Sequence, residues 1–401
     1  MKLLEHSNKY WKFSGQCTQC GHCKQACDSL IKADMTLGDI AHALLEAERN
    51  ASNEDELRAN IASNKQLEQA VRGCFFCTSC KNTCFAHNDV CDLIYPARVD
   101  YQKLGLIPRD AWSSVLVDEE WDIFTAYRAI HGIGYADLTL HVENDDHEAQ
   151  GDCEIAFFPG CSLAAYGPEL TREIHETIEE LGGKTTMIDR CCGSSLKSAG
   201  FYERAEALCE RNVDEIKQSG AHTLICVCPG CANDMRATLE RSGCNDVEVV
   251  LLAEFLVEHN FEPRGTIPEA DEIWMSKSCQ DRDGSYLEQT CAALGIDSST
   301  PAIFHGCCGA GGAVSAFQPE RQSQQADSKM SFAPDGATIV TMCPTCTYTY
   351  AYRLMETPRP VVNKHYTELL FENQFDWNMT FYQLGSMWSG EYGPWLAQVF
   401  A

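Results

Sequence analysis

Long hydrophobic runs are missing from this chain of 401 residues: no stretch approaches the roughly 18 consecutive apolar residues that a membrane-spanning helix needs. Direct membrane insertion is therefore not expected, and any membrane association would come through a partner. The N-terminal segment MKLLEHSNKYWKF has no apolar core of the kind a secretory signal carries, which points to a cytoplasmic location where thiols stay reduced. Basic residues are scarce, 31 against 58 acidic ones, and the formal net charge of -27 repels the phosphates of nucleic acid and of anionic lipid. Neither GxSxG nor HExxH occurs, which removes the usual serine-hydrolase and zinc-peptidase readings. Gly183-Lys184-Thr185 has the ending of a phosphate-binding loop, but Ile178 occupies the position of the required earlier glycine.

What the chain has instead is cysteine, 24 residues of it, and eighteen fall into two kinds of ordered array. The first is a CxxCxxCxxxC run, Cys17, Cys20, Cys23 and Cys27, repeated at Cys74, Cys77, Cys80 and Cys84. The second is a lone cysteine, a Cys-Cys-Gly and a CxxC: Cys161, Cys191, Cys192, Cys228 and Cys231, returning as Cys279, Cys307, Cys308, Cys343 and Cys346. The two halves superpose with an offset of about 115 to 118 residues, the mark of a duplicated unit.

Between and after the first runs, amphipathic patterns predict helices at 36–49, 54–71, 88–104 and 109–130, so the N-terminal region reads as α-helical. The segment from His141 to Asp152 has five acidic residues and no basic ones, as an exposed linker would. Beyond it, short apolar runs at 155–158, 185–188, 224–227, 273–275, 302–304 and 338–342 alternate with helical stretches. That texture predicts α/β units with a mainly parallel sheet in each of two pseudo-symmetric lobes. The expected organisation is a helical domain over 1–145, a linker at 146–152, lobes at 153–270 and 271–373, and an aromatic tail at 374–401. Several cysteines directly follow strand candidates, where open α/β sheets bind their ligands.

Three cysteines at CxxCxxC wrap one side of a cluster, while the fourth of such a run reaches the other cluster of a pair. One cubane 4Fe-4S cluster would accordingly take Cys17, Cys20, Cys23 and Cys84, and the other Cys74, Cys77, Cys80 and Cys27. Zinc competes, although structural zinc draws on two ligand pairs and has no use for the third cysteine. Asp28 and Phe85 follow the fourth cysteines where bacterial ferredoxins carry proline, so the exit turns differ. In the second array, five thiols per lobe exceed what a cubane needs, and Gly193 and Gly309 would let the backbone approach a cluster closely. An unusual cluster and an ordinary cluster or zinc site with a spare cysteine both fit this count.

The motifs Phe158-Pro-Gly-Cys161, Cys191-Cys-Gly193, Cys228-Pro-Gly-Cys231, Cys307-Cys-Gly309 and Cys343-Pro-Thr-Cys346 resemble the CCG domains of the B-type subunit of heterodisulfide reductase. The preceding region resembles the α-helical ferredoxin domain of the C-type subunit, so the whole is similar to the fused, D-type subunit. The resemblance implies a noncubane 4Fe-4S cluster in each quintet, with a small-molecule disulfide cleaved between the lobes. It also implies a flavoprotein or membrane cytochrome b subunit as redox partner. Related iron-sulfur subunits of glycolate, lactate and glycerol-3-phosphate dehydrogenases instead relay electrons toward quinone. Their motifs often lack a cysteine, whereas all ten positions are filled here.

His305 and Lys197 lie near the Cys-Cys-Gly motifs as candidate proton donors; the simpler readings are a structural hydrogen bond and a solvated lysine. Cys91, Cys153, Cys209, Cys226, Cys244 and Cys291 have no motif and read as small buried residues. The tail carries Trp377, Trp388 and Trp395, which would pack on their own domain or form a docking surface.

Overall fold

The computed structural model describes residues 2–107, 152–304 and 306–382. The chain divides into two compact units, one from 1–112, 195–202 and 309–325, the other from 113–194, 203–308 and 326–401.

The described part of the first unit begins with eight helices: α1 (Ser7–Gln16), α2 (His22–Gln25), α3 (Asp28–Ala33), α4 (Leu37–Arg49), α5 (Glu54–Ser63), α6 (Lys65–Arg72), α7 (Ser79–Asn82) and α8 (Cys91–Lys103). Their apolar faces meet in a core where Ile40, Leu44, Leu57, Leu67, Val71 and Leu93 are fully buried. A capping box starts α4: the Thr36 hydroxyl accepts from the Asp39 N–H, and the Asp39 carboxylate accepts from the Thr36 N–H. The single helix expected at 54–71 is instead two, because Asn64 leaves helical geometry and its side chain accepts from the Leu67 N–H to cap α6. The helix expected at 88–104 forms at Cys91–Lys103. The helix expected at 109–130 and nearly all of the acidic linker lie outside the described residues.

The second unit contains two four-stranded sheets, every pairing parallel, in the orders β2-β1-β3-β4 and β6-β5-β7-β8. The strands are β1 (Ile155–Phe158), β2 (Thr185–Met187), β3 (Thr223–Cys226), β4 (Glu248–Leu251), β5 (Ile273–Ser276), β6 (Ala302–Phe304), β7 (Thr338–Thr341) and β8 (Val362–His365). Covered on both faces, β1 and β7 are buried at every residue, which is why they read as unbroken apolar runs. The parallel, duplicated α/β architecture expected from the sequence is present, but β4 and β8 were not among the expected strands. Both are edge strands, and each begins with an exposed residue.

Helices of the first repeat are α9 (Cys161–Tyr166), α10 (Pro168–Gly182), α11 (Ser194–Ala199), α12 (Tyr202–Ser219), α13 (Pro229–Arg241) and α14 (Leu252–Glu258). Those of the second are α15 (Ser285–Ala293), α16 (Val314–Phe317), α17 (Pro319–Met330), α18 (Pro344–Glu356) and α19 (Thr367–Leu370). Nearly all of α11, all of α16 and the first half of α17 belong to the helical unit. Each sheet order reverses between its first and third strands, and ligands of open α/β sheets bind beyond the carboxyl ends of such strands. Cys161 and Cys228 follow β1 and β3; Cys279 and Cys343 follow β5 and β7.

Candidate functional site

In the helical unit, Cys27, Cys74, Cys77 and Cys80 line one hollow of about 380 Å³ including its open mouth, with Leu30, Leu37, Phe75, Val90 and Ile94 around them. Burial pushes the Cys27 thiol up and the Cys74 thiol up to about 12. Cys80 is raised further, by burial and then by the neighbouring sulfurs of Cys74, Cys27 and Cys77. Cys27 is the N-cap of α3, and the N–H groups of Leu30 and Ser29 partly offset the effect of burial on its thiol. The other three cysteines of the first run stand apart from this hollow. Cys17 ends α1, and both it and Cys20 act on buried Cys23, which burial raises. Cys20 is exposed, and N–H donation from His22 lowers its thiol to about 7. Cys84 is carried beside α2, where the neighbouring Thr83 hydroxyl donates to the His22 carbonyl at 3.5 Å and the Phe85 ring meets His22 at 4.8 Å.

In the second unit, an unbroken line of sulfur contacts runs from Cys161 through Cys191, Cys192, Cys231 and Cys228. There it crosses between repeats, Cys228 to Cys343 at 3.5 Å, and continues to Cys346 and on to Cys308, whose sulfur is 2.9 Å from that of Cys346. Cys307 adjoins Cys308 and acts with it on the Tyr350 hydroxyl. Cys279 holds the place after β5 that Cys161 holds after β1, and no sulfur contact of Cys279 is among those described.

The CxxC spacing has a simple local cause. Cys228 and Cys343 are N-caps of the 13-residue helices α13 and α18, each with proline at the first helical position, where its missing N–H costs nothing. Cys231 and Cys346 follow one turn in, so both sulfurs of a pair look at the positive end of a helix. Gly193 and Gly309 both take left-handed backbone, φ +80° and +90°, and a Cβ at Gly309 would meet the Gln322 carbonyl at 2.8 Å. The Gly193 N–H donates to Cys191 Sγ at 3.4 Å.

Like charges at such short range cannot all ionise. Cys191, Cys192, Cys231 and Cys346 are raised, in each case first by a proton shared with a neighbouring sulfur and then by burial; Cys192 goes to about 12. Of the facing pair, Cys343 is pushed down because Cys228 and Cys346 donate to it, and Cys228 is pushed up.

The repeats are tied on both sides of this line. On one side Asn233 Nδ2 donates to the Gln280 carbonyl at 2.8 Å, Tyr286 Oη donates to Asn233 at 3.0 Å and Arg236 donates to Tyr286 at 2.8 Å. On the other, Ser162 and Thr345 hydroxyls meet at 3.3 Å and the rings of Tyr166 and Tyr348 stack at 5.1 Å. Trp377 closes an aromatic cluster with Tyr166, Tyr348, Phe375 and Phe381, so this part of the tail packs on its own unit. Trp388 and Trp395 lie outside the described residues.

Of the two proton-donor candidates, His305 lies outside the described residues, and Lys197 is buried on α11 rather than solvated as expected. Sequence reasoning missed the buried polar groups that do face the sulfurs. Tyr350 lies one turn beyond Cys346, and its hydroxyl meets Ser276 Oγ at 3.1 Å. Tyr366 is acted on by Cys228, and His365, buried and lowered to about 4 by desolvation, by Cys343. It also missed Arg98, whose fully buried guanidinium donates to five carbonyls of the helical unit, those of Val71, Arg72, Cys74, Ser198 and Gly312. Of the unassigned cysteines, Cys153, Cys209, Cys226, Cys244 and Cys291 are buried and Cys91 is half-buried.

None of the 24 cysteines is in a disulfide, and the soft, anionic donor sets they can form suit thiophilic metal. Their spacing bears on which metal. Tetrahedral zinc about 2.3 Å from each sulfur needs sulfurs about 3.8 Å apart. Among the described residues, the one group of three ligand atoms within 4.8 Å of one another is Glu5, His6 and Asp100, and no three sulfurs are so close. In that group Lys103 already holds Glu5 and Tyr10 holds Asp100.

Residues 155–236 and 275–350 each match the family described as CCG, cysteine-rich domain. Over 370 residues, 82% of this chain and 86% of the relative, the chain is 24% identical to the D subunit of the dihydromethanophenazine:CoB-CoM heterodisulfide reductase of Methanosarcina acetivorans. This chain resembles the heterodisulfide reductase D subunit. The equivalent protein from Methanosarcina mazei is 21% identical over 361 residues, with the same shares covered. The B subunit of a fumarate reductase (CoM/CoB) from Methanothermobacter marburgensis is 23% identical over 292 residues, 70% of this chain and 56% of the relative. The likeness to the reductase and the two CCG matches make the chain similar to iron-sulfur oxidoreductase subunits. No helix among the described residues is long and apolar enough to cross a membrane.

Proposed function

We propose that this chain is the iron-sulfur subunit in which a multi-subunit complex reduces a disulfide. The observation that carries the reading is the line of sulfurs that passes from one repeat to the other at Cys228 and Cys343, 3.5 Å apart. In this reading each quintet holds a noncubane 4Fe-4S cluster. Cys17, Cys20, Cys23 and Cys84 hold one cubane, and Cys74, Cys77, Cys80 and Cys27 the other, within a ferredoxin-type domain over 1–145. The hollow shared by the last four cysteines supports that grouping.

When bound, the clusters supply single electrons to a sulfur–sulfur bond. The protein's own residues do the rest. The N-termini of α13 and α18 stabilise negative charge where the bond breaks, and the ties at Asn233–Gln280 and Ser162–Thr345 hold the two repeats in register. The overall change consumes two electrons and two protons and yields two thiols. A separate flavoprotein or membrane cytochrome b supplies the electrons, and the disulfide joining two thiols named for the Methanosarcina relatives is the model for the substrate class.

A second reading, in which the same clusters only relay electrons between a flavin-dependent dehydrogenase and quinone, follows from the resemblance to the iron-sulfur subunits of glycolate, lactate and glycerol-3-phosphate dehydrogenases. Anaerobically purified chain tests both: four clusters require about sixteen irons with matching sulfide. The reduced protein then changes its spectrum on adding a disulfide and releases thiols. Iron and sulfide without that response, together with electron transfer to a quinone-linked partner, leave the relay standing. Stoichiometric zinc without sulfide refutes both.

A further inference from the structure

Arg321, on α17, is six-hundredths exposed, yet its Nε and Nη1 have no hydrogen-bond partner. The helix reaches this position because Gly312, a few residues earlier, has φ +67° and lies so close to the chain that a Cβ there would sit 2.0 Å from the Cys74 carbonyl oxygen. The guanidinium lies 5.2 Å above the Phe75 ring. The opposite charges acting on it are Cys27, Asp28, Cys74 and Cys77, and no carboxylate among the described residues is within ion-pair distance. A buried guanidinium with idle N–H groups is strongly unfavourable unless acceptors come to it. The groups that act on it electrostatically are Cys27, Asp28, Cys74 and Cys77; the three cysteines line the hollow together with Cys80, and Phe75, whose ring lies under the guanidinium, lines it too.

Arg98 offers the contrast. Also buried and also near Cys74, it has its donors engaged by backbone carbonyls, so it braces the loop and leaves the sulfurs to Arg321. Around the first run, Cys20 takes its support from His22 and Thr18, and Cys23 from the N–H groups of Leu37 and Lys24. The two cysteine sets are chemically alike and electrostatically different.

We infer that Arg321 donates its free N–H groups to the sulfurs of the cluster held by Cys74, Cys77, Cys80 and Cys27, and raises its reduction potential above that of its partner. Hydrogen bonds to cluster sulfur and nearby positive charge both favour the reduced, more negative cluster. This cluster is then the electron-collecting member of the pair. The inference rests on the proposed cluster assignment.

The test uses the full chain, purified or reconstituted anaerobically, as wild type, R321Q and R321K. Iron and sulfide are measured first, then midpoints by potentiometric titration followed by electron paramagnetic resonance. In R321Q the reduction equilibrium of one ferredoxin-type cluster falls at least tenfold, about 59 mV for one electron, while the other holds its value. R321K keeps the charge, loses the planar fork and shows a smaller fall at the same cluster. Unchanged midpoints in R321Q with full iron and sulfide overturn the inference, as does an equal shift of both clusters. Should R321Q load poorly, R321K decides alone: no shift refutes. Absence of iron and sulfide from the wild type overturns the cluster assignment instead, and is read before any variant is made.

Discussion

Replacing Arg98 with methionine removes five donors from the centre of the helical unit while roughly keeping the volume. Nε donates to Val71 at 3.0 Å, Nη2 to Arg72 at 3.1 Å and Cys74 at 2.9 Å, and Nη1 to Ser198 and Gly312. The same guanidinium lies 4.8 Å from the Phe76 ring centre and 5.4 Å from that of Phe317. A hydrogen bond from a charged donor contributes about 1.5–3 kcal/mol, and these five share one group, so we expect a combined loss of about 4–6 kcal/mol. That is comparable to the roughly 5–15 kcal/mol that stabilises a whole domain. Arg98→Lys, with one ammonium in place of the fork, retains some of the bonds and costs about 2–3 kcal/mol. Hydrogen exchange of the full chain, read by mass spectrometry beside urea unfolding, locates the damage. Protection is lost first at 71–76, 198–200 and 311–317, the segments whose carbonyls lose their partner. A cost under about 1 kcal/mol, or a loss of protection spread evenly over both units, would refute the reasoning.

Gly312→Ala, with its Cβ forced to 2.0 Å from the Cys74 oxygen at φ +67°, destabilises by about 3 kcal/mol or more; Gly336→Ala, at φ +88° in open space, costs about 1 kcal/mol, and urea midpoints compare them. In the metal-free chain at pH 7, iodoacetamide labels exposed Cys20, lowered to about 7, well before Cys74, raised to about 12, as peptide mass mapping will show. His365, held near 4 against an unfolded value of about 6.5, lets the unfolded chain bind the extra proton between those values. Stability therefore falls as pH drops through that window, by about 3 kcal/mol at most, and His365→Gln flattens that part of the urea-midpoint profile.

Legibility followed the reach of each interaction. The run Ile155–Phe158 announced its strand because both faces are covered and every residue is apolar. The edge strand Val362–His365 carries Asn, Lys and His and pairs on one side only, so it has no comparable signature. The break at Asn64 was marked by a cap residue three places before Leu67, but the apolar periodicity running through it concealed the interruption. The CxxC pairs were legible because a CxxC is a local geometric request, an N-cap and the turn after it. Arg98 and Arg321 were unreadable for the opposite reason: the carbonyls that Arg98 meets and the Phe75 ring beneath Arg321 come from segments far away in sequence, and an arginine on a helix looks the same in sequence whether it is buried or in water.

The 3.5 Å between Cys228 and Cys343 also governs how the protein must be handled. Two thiols at that range need to close by only about 1.5 Å to become covalently joined. Air acting on the metal-free chain will therefore suture the duplicated halves to each other. The stitch appears as a 228–343 peptide pair in a non-reducing digest, and reductant undoes it.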